Sequence, residues 1–510
     1  MGAEAVPHPA VLLVPFPAQG HVTPMLHLAR ALAAHGVAPT VAVPDFIHRR
    51  ISGGCCAGGV ALASIPSGIA VEDNDVSSGS DATPGFGAIV HAMEHHMPAQ
   101  LERMLLAAPA PAPPRRGGGP PFACVVVDVL ASWAVPVAAR CGVPAAGFWP
   151  AMLASYRVVA AIPELIERGL ISESGTPISS DGEDGDTVIR GLKILPAQVE
   201  LRAGELPWLV GDSATQRSRF AFWLQTLHRA RGFRWVLVNS FPGEAGCAAA
   251  DDVCRLARQG PQVLPVGPAL LPGGVVGAAA AERTKQQQSD KSPGSMWRAD
   301  STCIAWLDAQ RAGSVVYVSF GSWVGSIGPD KVRELALGLE ATGRPFLWAL
   351  KRDPSWRAGL PEGFAARVAA SGRGKVVDWA PQEDVLRHAA VGCYLTHCGW
   401  NSTLEAVRHG VPLLCYPVSG DQFINCAHIT GPWGLGLRLP AGMARDEVRA
   451  GVGRVMDGGG EGARLREKVR ALRERVVTAE ARRAAERSVG AFVDEIRRGH
   501  PLLMQIYSVL

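Results

Sequence analysis

The stretch Val391-Gly-Cys-Tyr-Leu-Thr396-His397-Cys398-Gly399-Trp400-Asn401-Ser402-Thr403-Leu404-Glu405 decides the fold. Residues 391–396 form an apolar run of strand length, and the polar turn behind them leads into a helix expected from Asn401. A buried strand running through a Gly-containing turn into a helix is half of a βα repeat, the unit of a parallel sheet. Free N–H groups at the start of such a helix favour an anion, so a diphosphate belongs there. Asn401 and Ser402 supply both cap chemistry and phosphate contacts, and Gly399 allows close backbone approach. Glu405, one turn along, offers a carboxylate to hydroxyls of the same ligand.

The same alternation extends in both directions. Near the motif lie strands at 314–320, 346–350 and 412–416 and a helix at 329–342; far upstream lie strands at 37–43, 125–127, 235–239 and 263–266. An apolar run at 11–16 precedes a helix bracketed by Thr23 as N-cap, Pro24 at the first helical position and Gly36 past the end. The chain therefore reads as α/β, with two parallel-sheet halves. Residues 271–300, with Gly-Gly, Ala runs, a Gln triplet and Ser-Pro-Gly, read as a linker. Loose loops at 107–121 and 172–186 read as surface excursions, and 461–498 as one or two amphipathic helices.

Composition removes several function classes. Lys+Arg 50 against Asp+Glu 46 gives a net charge of +4 with no basic stripe, which argues against nucleic acid. The eleven cysteines are scattered without a CxxC pair, as expected for reduced thiols in a cytoplasmic protein. The most apolar window, 123–139, is broken by Asp128 and Pro136 and is shorter than the ~20 residues that cross a bilayer, so no membrane span is expected. The N-terminal residues 1–10 carry neither a secretory nor a myristoylation pattern, Asn401-Ser402-Thr403 is discounted as a glycosylation acceptor, and the apolar ending 501–510 reads as a docked tail.

Outside the motif, His21 falls between the first strand and first helix, at the sheet edge where ligand clefts form, and a helix N-terminus there disfavours a charged imidazole. Asp128 closes the strand 125–127 at the same edge, suited to hold that imidazole or to cap the next segment. Trp379 offers a flat stacking face, Asp421 and Gln422 suit sugar hydroxyls, and Ser322 is a weaker phosphate candidate or an ordinary turn serine. His91-Ala92-Met93-Glu94-His95 fits an H-x-x-E-H zinc spelling, but with no third ligand identifiable it reads as a helix flanking a ligand pocket.

From Trp379-Ala380-Pro381-Gln382 through the quoted stretch to Gly420-Asp421-Gln422, the chain resembles the signature of the plant secondary-metabolite UDP-glycosyltransferases. The resemblance continues through Pro17-Ala-Gln-Gly-His21, Leu206-Pro207-Trp208-Leu209, Val266-Gly267-Pro268, Trp306-Leu307-Asp308, Ser319-Phe320-Gly321-Ser322 and Leu360-Pro361-Glu362-Gly363-Phe364. It implies a GT-B arrangement, two facing Rossmann-like domains with a cleft between them: an acceptor domain at 1–268, a linker at 269–300, a UDP-sugar domain at 301–480, and a last helix with tail at 481–510 crossing back.

The resemblance also implies roles. Ser322, Trp379, Ala380, Gln382, His397, Trp400, Asn401, Ser402, Glu405, Asp421 and Gln422 hold the UDP-sugar; His21 is the base and Asp128 its partner. His397 and the helix start offset charge on the departing diphosphate. Gln422 favours UDP-glucose, and inversion, metal independence, no further cofactor and a monomer follow. The acceptor is a small molecule, in a pocket built from 148–150 and the region around Met93. The segment 416–420 departs from the family, which often has Trp-Pro and aromatic residues there. Rival readings are a UDP-sugar-binding protein without catalysis, a transferase using another UDP-sugar, and a zinc hydrolase at His91 and His95.

Overall fold

Runs of Val, Leu and Ile with both faces apolar demand cover on both sides, and parallel sheets flanked by helices supply it. The computed structural model describes residues 8–51, 59–69, 84–107, 121–178, 188–189, 199–241, 243–244, 261–271 and 297–499. The first sheet contains β1 (Ala10–Val14), β2 (Ala38–Pro44), β3 (Ala61–Ile65), β4 (Cys124–Asp128) and β5 (Ala145–Trp149). After a two-residue hairpin, β6 (Val188–Ile189) with β7 (Leu201–Arg202), it is completed by β8 (Trp235–Val238) and β9 (Gln262–Pro265). Its order is β3-β2-β1-β4-β5-β8-β9, all parallel.

The second sheet contains β10 (Val315–Ser319), β11 (Phe346–Ala349), β12 (Gly374–Val377), β13 (Val391–Thr396), β14 (Leu413–Cys415) and β15 (Gly436–Arg438). It is also parallel, in the order β12-β11-β10-β13-β14-β15. Both sheets are Rossmann-like, and each reverses its winding between its first and fourth strands, at β1/β4 and at β10/β13. Ligands bind outside the carboxyl ends of strands at such switch points. His21 follows β1, Asp128 ends β4, Ser322 follows β10 and His397 follows β13.

The strands expected at 125–127, 235–239, 263–266, 314–320 and 391–396 are present within about a residue of their expected ends. Strands β3, β5, β12 and β15 are additional; they are short and carry Ala, Gly or Ser, so periodicity does not mark them. The segment 461–498 forms two helices, Gly460–Val476 and Ala479–Arg498. The second lies against the first domain, where Arg497 Nη2 donates to the His35 carbonyl (2.7 Å) and Glu495 pairs with Arg234 (2.9 Å). Most of the expected linker (272–296), most of the two loose loops (108–120; 179–187) and the tail (500–510) lie outside the described residues.

Candidate active site

The first helix begins earlier than its sequence suggests. Ala18 is its N-cap in extended backbone (φ −136°, ψ 148°), the helix spans Gln19–Ala34, and Pro24 lies inside it rather than at its first position. Thr23 is therefore not the N-cap. A proline inside a helix removes the bond to the carbonyl four residues back, here Gly20. That carbonyl accepts instead from Asn401 Nδ2 of the second domain at 3.0 Å, which makes the interior proline tolerable.

His21 sits in this first turn, and its Nδ1 lies 2.8 Å from Asp128 Oδ2. Asp128 is fully buried, whereas the His21 side chain is 23% exposed, so the imidazole can meet a ligand and the carboxylate cannot. Asp128 Oδ1 also accepts from Leu130 N (3.0 Å), so it is imidazole partner and cap at once. The Phe16 ring packs against His21 with centroids 5.2 Å apart.

On the opposite wall the helix spans Trp400–His409 with Gly399, extended, as N-cap and no side-chain cap bond. The cap chemistry expected of Asn401 and Ser402 is thus absent, because both lie within the helix and point elsewhere. Asn401 reaches Gly20, and Ser402 Oγ accepts from Gln382 Nε2 (3.0 Å). The N–H groups of the first turn remain directed at the cleft end of the helix. His397 is buried among Gly321 and Gly399; a Cβ on either would lie 2.6 Å or 2.4 Å from its Nε2. Burial, reinforced by Lys351, pushes His397 down to about 3, so the imidazole stands neutral at this wall.

Gln382 is the hub of the hydrogen bonds on this wall. Its Oε1 accepts from Tyr317 OH (3.1 Å), Ser319 Oγ (3.1 Å) and Tyr394 OH (3.0 Å), and its Nε2 donates to Ser402 Oγ and to Glu405 Oε2 (2.6 Å). Loss of water around Glu405 pushes its carboxyl up to about 7. Desolvation also raises Asp421, whose Oδ2 accepts from Asn425 Nδ2 (3.1 Å). Gln422 Oε1 accepts from the backbone N–H groups of Val418 (2.9 Å) and Ser419 (3.0 Å), so the departing segment 416–420 is tied to the Asp-Gln pair. Trp379 is backed by Trp297, with ring centroids 5.6 Å apart.

One cleft of about 720 Å³ joins these walls. It is lined by His21, Ser322, Trp379, Ala380, Gln382, His397, Trp400, Asn401, Ser402, Glu405, Asp421 and Gln422; Asp128 stands behind His21. Trp149 and Pro150 also line it, but Phe148 and Met93 are buried away from it, each on the core side of its element. Sequence reading missed the aromatic wall of Phe16, Phe86, Phe222 and Trp223, and Arg219 beside it. The helix Ser213–Ala230 carries the last three at i, i+3 and i+4 spacing, a signal that was available.

The His91 and His95 rings lie tilted at 46° to each other with centroids 4.6 Å apart, on the π-helical turn Ala92–His96 and the turn before it. Glu94 is committed to Arg229 through two bonds of 2.8 and 2.9 Å. Among the described residues the one side-chain group able to ligate a metal in threes is the buried Cys398, Cys415 and Cys426, so the zinc reading at His91 has no third ligand.

Residues 298–460 match the family model described as UDP-glucoronosyl and UDP-glucosyl transferase. The chain is 44% identical over 488 residues to UDP-glycosyltransferase 82A1 of Arabidopsis thaliana, covering 94% of this chain and 96% of that one. It is 34% identical over 504 residues to the indole-3-acetate beta-glucosyltransferase of Zea mays, with coverage of 96% and 99%. The crystal structure of Os79 from O. sativa in complex with UDP superposes with a TM-score of 0.72 at 26% identity, covering 95% of this chain and all (100%) of that chain. No helix among the described residues is long and apolar enough to cross a membrane. With this cleft between two Rossmann-like domains and relatedness along nearly its whole length, the chain belongs to the plant UDP-glycosyltransferase family and is a UDP-sugar-dependent glycosyltransferase of GT-B fold.

Proposed function

We propose that the chain transfers glucose from UDP-glucose to a hydroxyl of a small, largely apolar acceptor, inverting the anomeric centre, with His21 as base and no metal ion. The observation that carries this reading is the His21–Asp128 pair opening onto the same cleft as the donor loop. Because Asp128 accepts at Nδ1, that nitrogen carries the proton and Nε2 holds the lone pair. Nε2 takes the acceptor hydroxyl proton as the oxygen attacks the anomeric carbon and the bond to UDP breaks on the opposite face. Asp128 stabilises the imidazolium that forms.

Uracil stacks on Trp379, the ribose hydroxyls donate to Glu405, and the diphosphate meets the helix start at Trp400–His409 with the His397 N–H. These neutral dipoles stand where other phosphate sites place magnesium. Asn401 holds the two walls together rather than capping its helix, so its role is to set His21 against the donor. For the sugar, Asp421 is an acceptor, and Gln422, with its carbonyl pinned, presents its amide as a donor, which with the family resemblance favours glucose. The apolar wall of Phe16, Phe86, Trp149, Phe222 and Trp223 selects a flat, lipophilic acceptor. A cytoplasmic monomer, with domain limits near 268, 300 and 480, completes the reading. Incubation with UDP-glucose, other UDP-sugars and a panel of phenolics and terpenoids in a chelator tests it. A hexose product best made from UDP-glucose is expected, and better use of UDP-galactose or UDP-xylose contradicts the donor assignment.

A further inference from the structure

Arg219 stands out on the acceptor side of the cleft. It lies on the helix Ser213–Ala230, which Asp212 caps by accepting from Thr215 N (2.8 Å), and it shares the cleft-facing side with Phe222 and Trp223. Its guanidinium carbon sits 4.4 Å from the centroid of Phe86. Its Nε is buried without a hydrogen-bond partner, and no carboxylate lies against it among the described residues. Two acidic groups on the elements around it are otherwise engaged: Glu94 is bonded twice to Arg229, and Asp212 caps its own helix.

A guanidinium held partly out of water against an aromatic face recovers less from that face than a paired carboxylate returns through a forked, charge-assisted contact. Among the described residues this cation is half-desolvated in a binding wall without a carboxylate partner, which suits it to receive an anion. The position defines where that anion lies. Phe86 is 6.4 Å from Phe16, and Phe16 is 5.2 Å from His21, so two aromatic rings separate the guanidinium from the base. An acceptor touching both is flat, with its anionic group at the end opposite the hydroxyl that reacts.

We infer that the acceptors are hydroxylated aromatic carboxylates, whose carboxylate Arg219 holds while His21 deprotonates the distant hydroxyl. This rests on the transferase reading above and names its substrate class. The product is accordingly a phenolic glucoside and not a glucose ester, because the carboxylate is turned away from the anomeric carbon.

The test compares 4-hydroxycinnamate with its methyl ester, for the full chain and for Arg219→Gln and Arg219→Lys. For the wild type, kcat/KM should favour the acid by about tenfold or more. Arg219→Gln should abolish that preference by weakening the acid and sparing the ester, with KM for UDP-glucose unchanged. Arg219→Lys should keep part of it, since the charge remains and the fork is lost. Binding of the same pair in the presence of UDP, followed by calorimetry, reads the preference without turnover, so failure of catalysis is distinguishable from failure of this assignment. Equal or tighter binding of the ester to the wild type, equal loss of acid and ester in Arg219→Gln, or an alkali-labile glucose ester as product overturns it.

Discussion

Asn401 Nδ2 donates to the Gly20 carbonyl at 3.0 Å across the cleft, and Pro24 is the reason that carbonyl is open. Pro24 has no N–H to return to Gly20, the residue immediately before His21, so the helix carrying His21 is completed by the helix Trp400–His409. Trp400 Nε1, one residue away, donates to the Asn239 carbonyl (2.6 Å), again across the domains. Asn401→Ala should lower kcat by about tenfold to a hundredfold, the cost of misplacing base and donor, while the chain remains folded. Pro24→Ala supplies a helical N–H to the same carbonyl. A double-mutant cycle between positions 24 and 401 should therefore be non-additive, with the Asn401→Ala penalty smaller in the Pro24→Ala background; additive losses would break the link.

Glu405 sets a pH dependence with a definite sign. Its folded pKa is raised from 4.5 to about 7, so the stability associated with its neutral form is fully present below about pH 4.5 and lost as pH rises through 7. Glu405→Gln should therefore melt higher than the wild type at pH 8, by about 1–2 kcal/mol after discounting for water access, with no difference near pH 4.5. In the proposed donor pose ribose hydroxyls donate to the carboxylate form, so KM for the UDP-sugar should fall in the wild type as pH rises from 6 to 8 and stay flat in Glu405→Gln. Steady-state kinetics across that range check both slopes.

Asp128→Asn leaves the His21 ring in place but offers an amide where the imidazole needs an acceptor. Transfer should fall by about 10²–10⁴, as for other His–carboxylate pairs, with KM for UDP-glucose little changed. A loss confined to KM would place Asp128 in binding rather than in proton transfer.

Gly399→Ala tests the packing around His397. The new Cβ would sit 2.4 Å from His397 Nε2, closer than any real contact, so the ring must move from the donor loop. UDP affinity should weaken by at least about tenfold, measured by calorimetry, while Gly442→Ala, where nothing lies within 4 Å, should leave it unchanged.

The donor wall was legible because one βα turn packs its chemistry into contiguous residues: strand 391–396 and the helix behind it need only local periodicity and a Gly turn. The pairing of His21 with Asp128 at the cleft was legible through the motif around His21 and the place of Asp128 at a strand end. Trp149 was legible too, within 148–150, but the rest of the aromatic wall was not, since Phe16, Phe86 and Arg219 come from three separate segments and meet only after the first sheet closes. The start of the first helix was misread because Pro24 is a strong N-terminal signal, and the bond that lets it sit inside a helix comes from Asn401 in the other domain. Asn401 itself looked like a cap for the same reason: sequence shows its type, not the carbonyl it faces.

The most direct measurement of the central claim is mass spectrometry of acceptor mixtures incubated with UDP-glucose and a chelator, wild type beside His21→Ala. The account predicts a hexose adduct from the wild type alone, undiminished by the chelator, with both proteins binding UDP equally. An adduct formed equally by His21→Ala, or one abolished by the chelator and restored by a divalent metal, would contradict a His21-driven, metal-independent transfer.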